Sequence, residues 1–163
     1  MMKKKSLLIL NGPGLADLGD TDSGRYGPIS LGKIEEACGT LCNQMNIEMD
    51  FRQTDSENEM CRYIARESEA YGGLIINPVG YSRASEVNFE MFRHAIMLVA
   101  HLKKPVIEVH ISNIFLPGAE ITKPLQVPEG EMGFISGLGI HSYLLAIKAI
   151  NNRIDPNAAE SGK

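Results

Sequence analysis

The 163 residues carry a formal net charge of −4, with 44% hydrophobic and 22% charged residues, the balance of a globular chain rather than a disordered or fibrous one. That length accommodates one domain with a sizeable core and is too short for two ordinary ones. No apolar run approaches the ~20 residues needed to cross a bilayer, and no basic block follows Lys3, Lys4 and Lys5, so membrane and nucleic acid are both excluded as expected partners.

The first apolar run, residues 6–10, is shorter than the ~7–15 residues of a secretory h-region and ends at Asn11-Gly12-Pro13-Gly14. It reads as a strand buried on both faces. Residues 11–28 hold five glycines, two prolines and Asp17, Asp20 and Asp22, a long loop of the kind that is usually functional. Ser30 is placed to cap a helix with Leu31, Ile34, Cys38, Leu41 and Met45 at helical spacing. Residues 47–52 alternate apolar and polar, as a half-exposed second strand does.

Asp55 or Ser56 starts a helix carrying Met60, Ile64 and Tyr71 and closing at Gly72-Gly73. Residues 74–76 form a third strand stopped by Asn77-Pro78. A longer helix begins within residues 82–85, with Val87, Met91, Ala95, Leu98 and Leu102 inward, and residues 105–109 form a fourth strand. Residues 114–131 are a second long loop, residues 133–136 a fifth strand, and residues 139–151 a closing helix with Ile140, Leu144, Ile147 and Ile150 on one face. Residues 1–151 are thus one domain, and residues 152–163 read as a disordered tail.

Five β–α alternations predict an α/β fold with a five-stranded parallel sheet and helices on both faces. Its ligand site belongs beyond the carboxyl ends of the strands, near the switch in strand order. Three chemically loaded turns stand there: Asn11-Gly12-Pro13-Gly14, Asn77-Pro78, and Glu108-Val109-His110-Ile111-Ser112-Asn113. His110 is either a satisfied strand-end histidine or a general acid or base oriented by Glu108, two residues earlier on the same strand face. Tyr26, in the glycine-rich loop beside Arg25, is either a lid contact or a phenol whose pKa the guanidinium lowers. The turn after Asn77 suits an Asx turn and equally the fixing of a small polar ligand.

No Walker or dinucleotide pattern is present, so no nucleotide is assigned. His94 and His101 read as solvated or interface residues, and Cys38 and Cys42 as core, so no metal is assigned. The odd number of cysteines, three, argues for a reducing compartment, the cytoplasm.

Taken in order, the motifs Leu10-Asn11-Gly12-Pro13, Tyr26-Gly27, Phe51-Arg52-Gln53, Ile76-Asn77-Pro78, residues 108–113, and Ile135-Ser136-Gly137-Leu138-Gly139 before Tyr143-Leu144-Leu145-Ala146 resemble the type II 3-dehydroquinate dehydratases. The resemblance covers about residues 6–151. It implies a flavodoxin-like fold, trimers packed into a dodecamer, and a small anionic substrate handled without cofactor or metal. It implies Tyr26 as the base that takes a proton alpha to the substrate ketone, and His110 as the acid that protonates the departing hydroxyl. Asn77 and the backbone of Ile111 and Ser112 would hold the substrate carboxylate, with Glu108 and Asn11 in support. The chain departs from the family pattern at Gly14, Thr21, Arg83 and Met132, where that pattern has an asparagine, an arginine, a histidine and an arginine. Arg25 and Arg83 then stand as relocated positive charge, Arg83 as a substrate contact. Beside the dehydratase, the sequence leaves open a lyase or isomerase for another small keto or hydroxy acid, and a non-catalytic binding homologue.

Overall fold

The computed structural model describes residues 5–16, 18, 29–78, 94, 95, 97, 104–115 and 132–154. Five strands, β1 (Lys5–Asn11), β2 (Ile47–Gln53), β3 (Gly73–Asn77), β4 (Val106–His110) and β5 (Met132–Ser136), form one all-parallel sheet in the order β2-β1-β3-β4-β5. This is the flavodoxin-like order, and its switch point lies between β1 and β3.

The pleat divides the core. Leu7 and Ile9 of β1, Ile75 of β3, and Ile107 and Val109 of β4 face one layer, formed by helix α1 (Leu31–Gln44) and the closing helix α3 (His141–Ile154). Leu8, Leu10, Leu74, Ile76 and Val106 face the other, with Met60, Cys61 and Ile64 of α2 (Glu57–Arg62) and its continuation, and with Ala95. Strands buried on both faces need apolar residues at every position, which is why β1 and β3 read as unbroken runs. The edge strand β2 keeps only Ile47 fully buried, in line with its alternating sequence.

Ser30 caps α1, its hydroxyl accepting from the Lys33 N–H at 3.3 Å. The second helix departs from expectation. After Arg62 it widens into a π turn (Tyr63–Glu67) and then tightens into a 3-10 turn (Ser68–Ala70), and Tyr71 is already extended. The Ser68 hydroxyl donates to the Ile64 carbonyl, a side-chain bond that competes with regular helix pairing. Gly73 does not close the helix; it opens β3, where a Cβ would lie 2.6 Å from Ile150 Cγ2. Glycine there lets α3 approach the sheet.

The closing helix starts two residues later than expected and runs to Ile154, so that residues 152–154 belong to the helix rather than to a tail. Its fully buried residues are Ser142, Tyr143, Ala146, Ile147 and Ile150, with Ile140 and Leu144 only partly buried against the same core. The expected helix within residues 82–102 lies outside the described residues except at three positions, of which Ala95 is buried and His94 exposed. The loop expected over residues 114–131 is described only at Ile114 and Phe115.

All three cysteines are free and buried. Burial pushes the Cys38 thiol up to about 12, with Cys42 and Glu35 adding to it, and pushes Cys42 and Cys61 up to about 11. At pH 8 a thiol of ordinary pKa is roughly one-quarter ionised, whereas one near 11 is about a thousandth ionised. Native protein at pH 8 is therefore expected to leave Ellman's reagent almost unreacted over minutes and to titrate three thiols after denaturation. Rapid labelling of the native state would show that these side chains are accessible.

Candidate active site

The carboxyl edge of the sheet gathers most of the buried polar side chains among the described residues. Asn11, Asn77, Glu108, His110 and Ser142 are each at most 1% exposed, and the first four close β1, β3 and β4. Asn11 and Asn77 are register partners across the switch point.

Glu108 and His110 share the β4 face that carries Val106, because strand side chains alternate. Glu108 Oε1 lies 2.7 Å from His110 Nε2. A carboxylate accepts hydrogen bonds, so Nε2–H is the donor to Glu108, and Nδ1 is the nitrogen left for another partner. Nδ1 is buried and has no hydrogen-bond partner among the described residues. Phe134 of β5 flanks the imidazole, ring centroids 5.6 Å apart.

The backbone beyond His110 is held from one side. The His110 carbonyl accepts from the Gly137 N–H at 3.2 Å and from the Ser142 hydroxyl at 2.9 Å, and the Ile111 carbonyl accepts from the Gly139 N–H at 3.0 Å. A trans peptide places its N–H opposite its carbonyl, so the N–H groups of Ile111 and Ser112 both point away from residues 137–142. Two successive N–H groups on one side make a concavity for an anion. Gly137, at φ +87°, permits this arrangement: a Cβ there would meet Asn113 Cβ at 3.1 Å. The Ser136 hydroxyl donates to the Ser112 carbonyl at 2.9 Å and closes the turn.

On the opposite face Tyr143, from α3, joins the two asparagines. Its hydroxyl donates to Asn11 Oδ1 at 2.7 Å and accepts from Asn77 Nδ2 at 2.7 Å. Asn11 Nδ2 in turn donates to the Arg52 carbonyl at 3.0 Å. Burial pushes the Tyr143 phenol well above the ordinary tyrosine range, and the Asn77 hydrogen bond offsets this only in part, so it stays neutral.

The Arg52 side chain fixes the end of β2 through Asp50, Glu67 and the Tyr71 hydroxyl, with its guanidinium 4.7 Å from the centre of the Tyr63 ring. Its hydrogen bonds hold the Asp50 carboxyl below the usual carboxylate range. Among the described residues no group of three metal-ligating side chains occurs, and no helix is long and apolar enough to cross a membrane.

Of the residues singled out from sequence, Asn11, Asn77, Glu108, His110, Ile111 and Ser112 come together at this edge, while Tyr26, Arg25, Arg83 and Thr21 lie outside the described residues. Gly14 is at φ +82°, a conformation that asparagine also adopts, so its backbone is compatible with the family residue. Met132, unlike the family-pattern arginine it was expected to replace, stands away from the site. It pairs with Val106 and packs on the core at the amino end of the sheet, four residues before Ser136, roughly 13 Å along the strand. A residue there cannot read a ligand at the carboxyl edge. Tyr143, Ser142 and the Arg52 carbonyl escaped sequence reasoning as site residues. The available signal was a tyrosine on the apolar face of α3, whose buried hydroxyl needs a partner.

A doubly wound α/β protein with polar side chains collected at its switch point is a small-molecule-binding architecture. Residues 5–151 match the family described as dehydroquinase class II, and the chain belongs to that family. It is 33% identical over 146 residues to the 3-dehydroquinate dehydratase of Brucella canis, covering 90% of this chain and 88% of the relative. The type II dehydroquinase of Propionibacterium acnes superposes with a TM-score of 0.73 at 28% identity, covering 91% of this chain and 97% of that one. That of Butyrivibrio crossotus gives a TM-score of 0.77 at 28% identity, covering 90% and 97%.

Proposed function

We propose that this protein is a 3-dehydroquinate dehydratase, a hydro-lyase that eliminates water through an enolate. The observation that carries the reading is the buried Glu108–His110 pair at the end of β4, with Nδ1 as its unpartnered nitrogen, in a chain of the class II dehydroquinase family. His110 acts as the acid from its doubly protonated form, giving the Nδ1 proton to the departing hydroxyl, while Glu108 accepts from Nε2–H and fixes the ring. The N–H groups of Ile111 and Ser112 receive the substrate carboxylate, with Asn77 beside them on the substrate and Asn11 in support. Tyr26 removes the proton alpha to the ketone. The elimination releases a proton and a hydroxide as water and changes no oxidation state, so the proposed chemistry needs no cofactor. The three buried free cysteines suit a cytoplasmic enzyme.

His110→Ala and Tyr26→Phe are each expected to lower kcat by ~10²–10⁴ while leaving the fold intact, since positioned proton transfer contributes about that much. The rise in ultraviolet absorbance of the conjugated enone formed from 3-dehydroquinate measures it. Near-native turnover in both variants would remove the acid–base assignment.

A phenol of pKa near 10 is a poor base at pH 7, and Thr21 offers no charge to lower it. We infer that Arg25, adjacent to Tyr26, does so, with Arg83 as the competing cation. Losing the relevant cation raises the phenol's pKa, so the rising limb of the pH–rate profile is expected to move to higher pH in Arg25→Met. A shift in Arg83→Met instead would transfer the role, and an unmoved limb in both would mean that no local cation activates Tyr26.

The proposed assembly is a homo-oligomer of trimers, up to a dodecamer. Phe115, Phe134, Leu138 and Leu145 are exposed, and the rings of Phe115 and Phe134 lie 5.7 Å apart, an apolar surface suited to a subunit contact. Light scattering at micromolar concentration is expected to give a multiple of 17.9 kDa, and the monomer mass would overturn the assembly.

A further inference from the structure

The buried polar groups at the carboxyl edge form two sets on opposite faces of the sheet, and the proposed proton transfers use only one. Glu108 and His110 stand on one face. Asn11, Asn77 and Tyr143, all fully buried, form the other set and are joined through one phenol.

The direction of every bond in this second set is dictated from one end. The Arg52 carbonyl can only accept, so the atom of Asn11 that faces it at 3.0 Å is the amide nitrogen. Asn11 therefore turns its Oδ1 to Tyr143, and an acceptor there requires the phenol to donate its single proton, at 2.7 Å. With that proton committed, the phenol oxygen has only lone pairs for Asn77. The atom of Asn77 that faces it, at 2.7 Å, must be the donor Nδ2. The reversed amide would set two lone pairs against each other at that distance. Asn77 is left with Oδ1, buried and without a hydrogen-bond partner among the described residues. A buried acceptor without a partner is costly, so a ligand that supplies a donor gains from filling it.

We propose that Tyr143 is a positioning residue of the site: by holding Asn77 Nδ2 it makes the carbonyl oxygen the group that Asn77 offers, so that this position recognises a hydroxyl of the ligand. The anionic end of the ligand is left to the N–H groups of Ile111 and Ser112, since a carboxylate oxygen is repelled by Asn77 Oδ1. The inference rests on reading the strand ends as the substrate site and adds what Asn77 recognises there.

Tyr143→Phe keeps the ring and removes the hydroxyl. Freed from its lock, Asn77 loses binding that substrate and transition state share, which appears in KM rather than kcat. The expected result is a KM for 3-dehydroquinate raised about tenfold or more, with kcat within about threefold of wild type. In ¹⁵N-labelled protein without substrate, the Asn77 side-chain amide protons are expected to show contacts to the Tyr143 ring and slow exchange in wild type, and exchange about tenfold faster or more in the variant. An unchanged KM, or a fall in kcat alone with a lowered Tm, would reduce Tyr143 to packing and overturn the proposal. Where the variant does not fold, fast exchange of the Asn77 amide in wild type overturns it equally. A wild type inert toward 3-dehydroquinate, yet with an Asn77 amide protected only when Tyr143 is present, would sink the dehydratase reading and leave the positioning role standing.

Discussion

A phenol hydroxyl with no access to water has to find a partner for its proton and another for its lone pairs, and in this chain both are asparagines at the carboxyl ends of neighbouring strands. That requirement ties α3 to the sheet at its switch point. It operates only if β1 and β3 are adjacent and in the register that sets Asn11 beside Asn77, and if α3 lies close enough for Tyr143 to reach both. Gly73 supplies the closeness at the other end of β3, where a side chain would run into Ile150. Apolar burial drives the layers together without direction, and the hydrogen bonds select the register.

The pleat then separates the buried polar groups of the carboxyl edge into two sets. Odd-numbered positions of β1 and β3 send Asn11 and Asn77 to the α1–α3 layer, while Glu108 and His110 on β4 face the layer of α2. Both sets end at the same edge because the sheet is parallel, so a ligand lying across that edge meets a carboxylate-oriented imidazole from one face and an oriented amide from the other. Gly137 and Gly139, at φ +87° and +60°, let the chain after β5 turn back and hold the carbonyls of His110 and Ile111. The direction of the Ile111 and Ser112 N–H groups is thus a consequence of what is hydrogen-bonded on the far side of that turn.

The edge strand contributes through its backbone. Arg52 is half-exposed and engaged by Asp50, Glu67 and Tyr71, a network that in isolation adds little stability at a surface. Its structural value is positional, because the same residue's carbonyl orients Asn11 and through it every later bond in the relay.

Much of this is legible in the sequence. Uniform apolar runs meant strands buried on both faces, five β–α alternations meant a parallel sheet, and a parallel sheet puts its loaded turns at one edge. The shared strand face of Glu108 and His110 follows from strand periodicity alone, since residues two apart lie on one side, whereas their hydrogen bond is a result of the structure. What periodicity could not reveal was anything that depends on distance between elements. The break of the second helix after Arg62, the role of Gly73 as a close approach, and the place of Met132 at the wrong end of its strand all turn on which residue lies opposite which. Tyr143 is the sharpest instance: in sequence it is one apolar-face residue of a helix, 66 positions from Asn77 and 132 from Asn11. Local patterning decided what each segment would be and which face it would bury, whereas the buried hydroxyl's partners were decided only when two strand ends and one helix came within hydrogen-bond reach, because a hydrogen bond acts over about 3 Å and carries no trace in linear order.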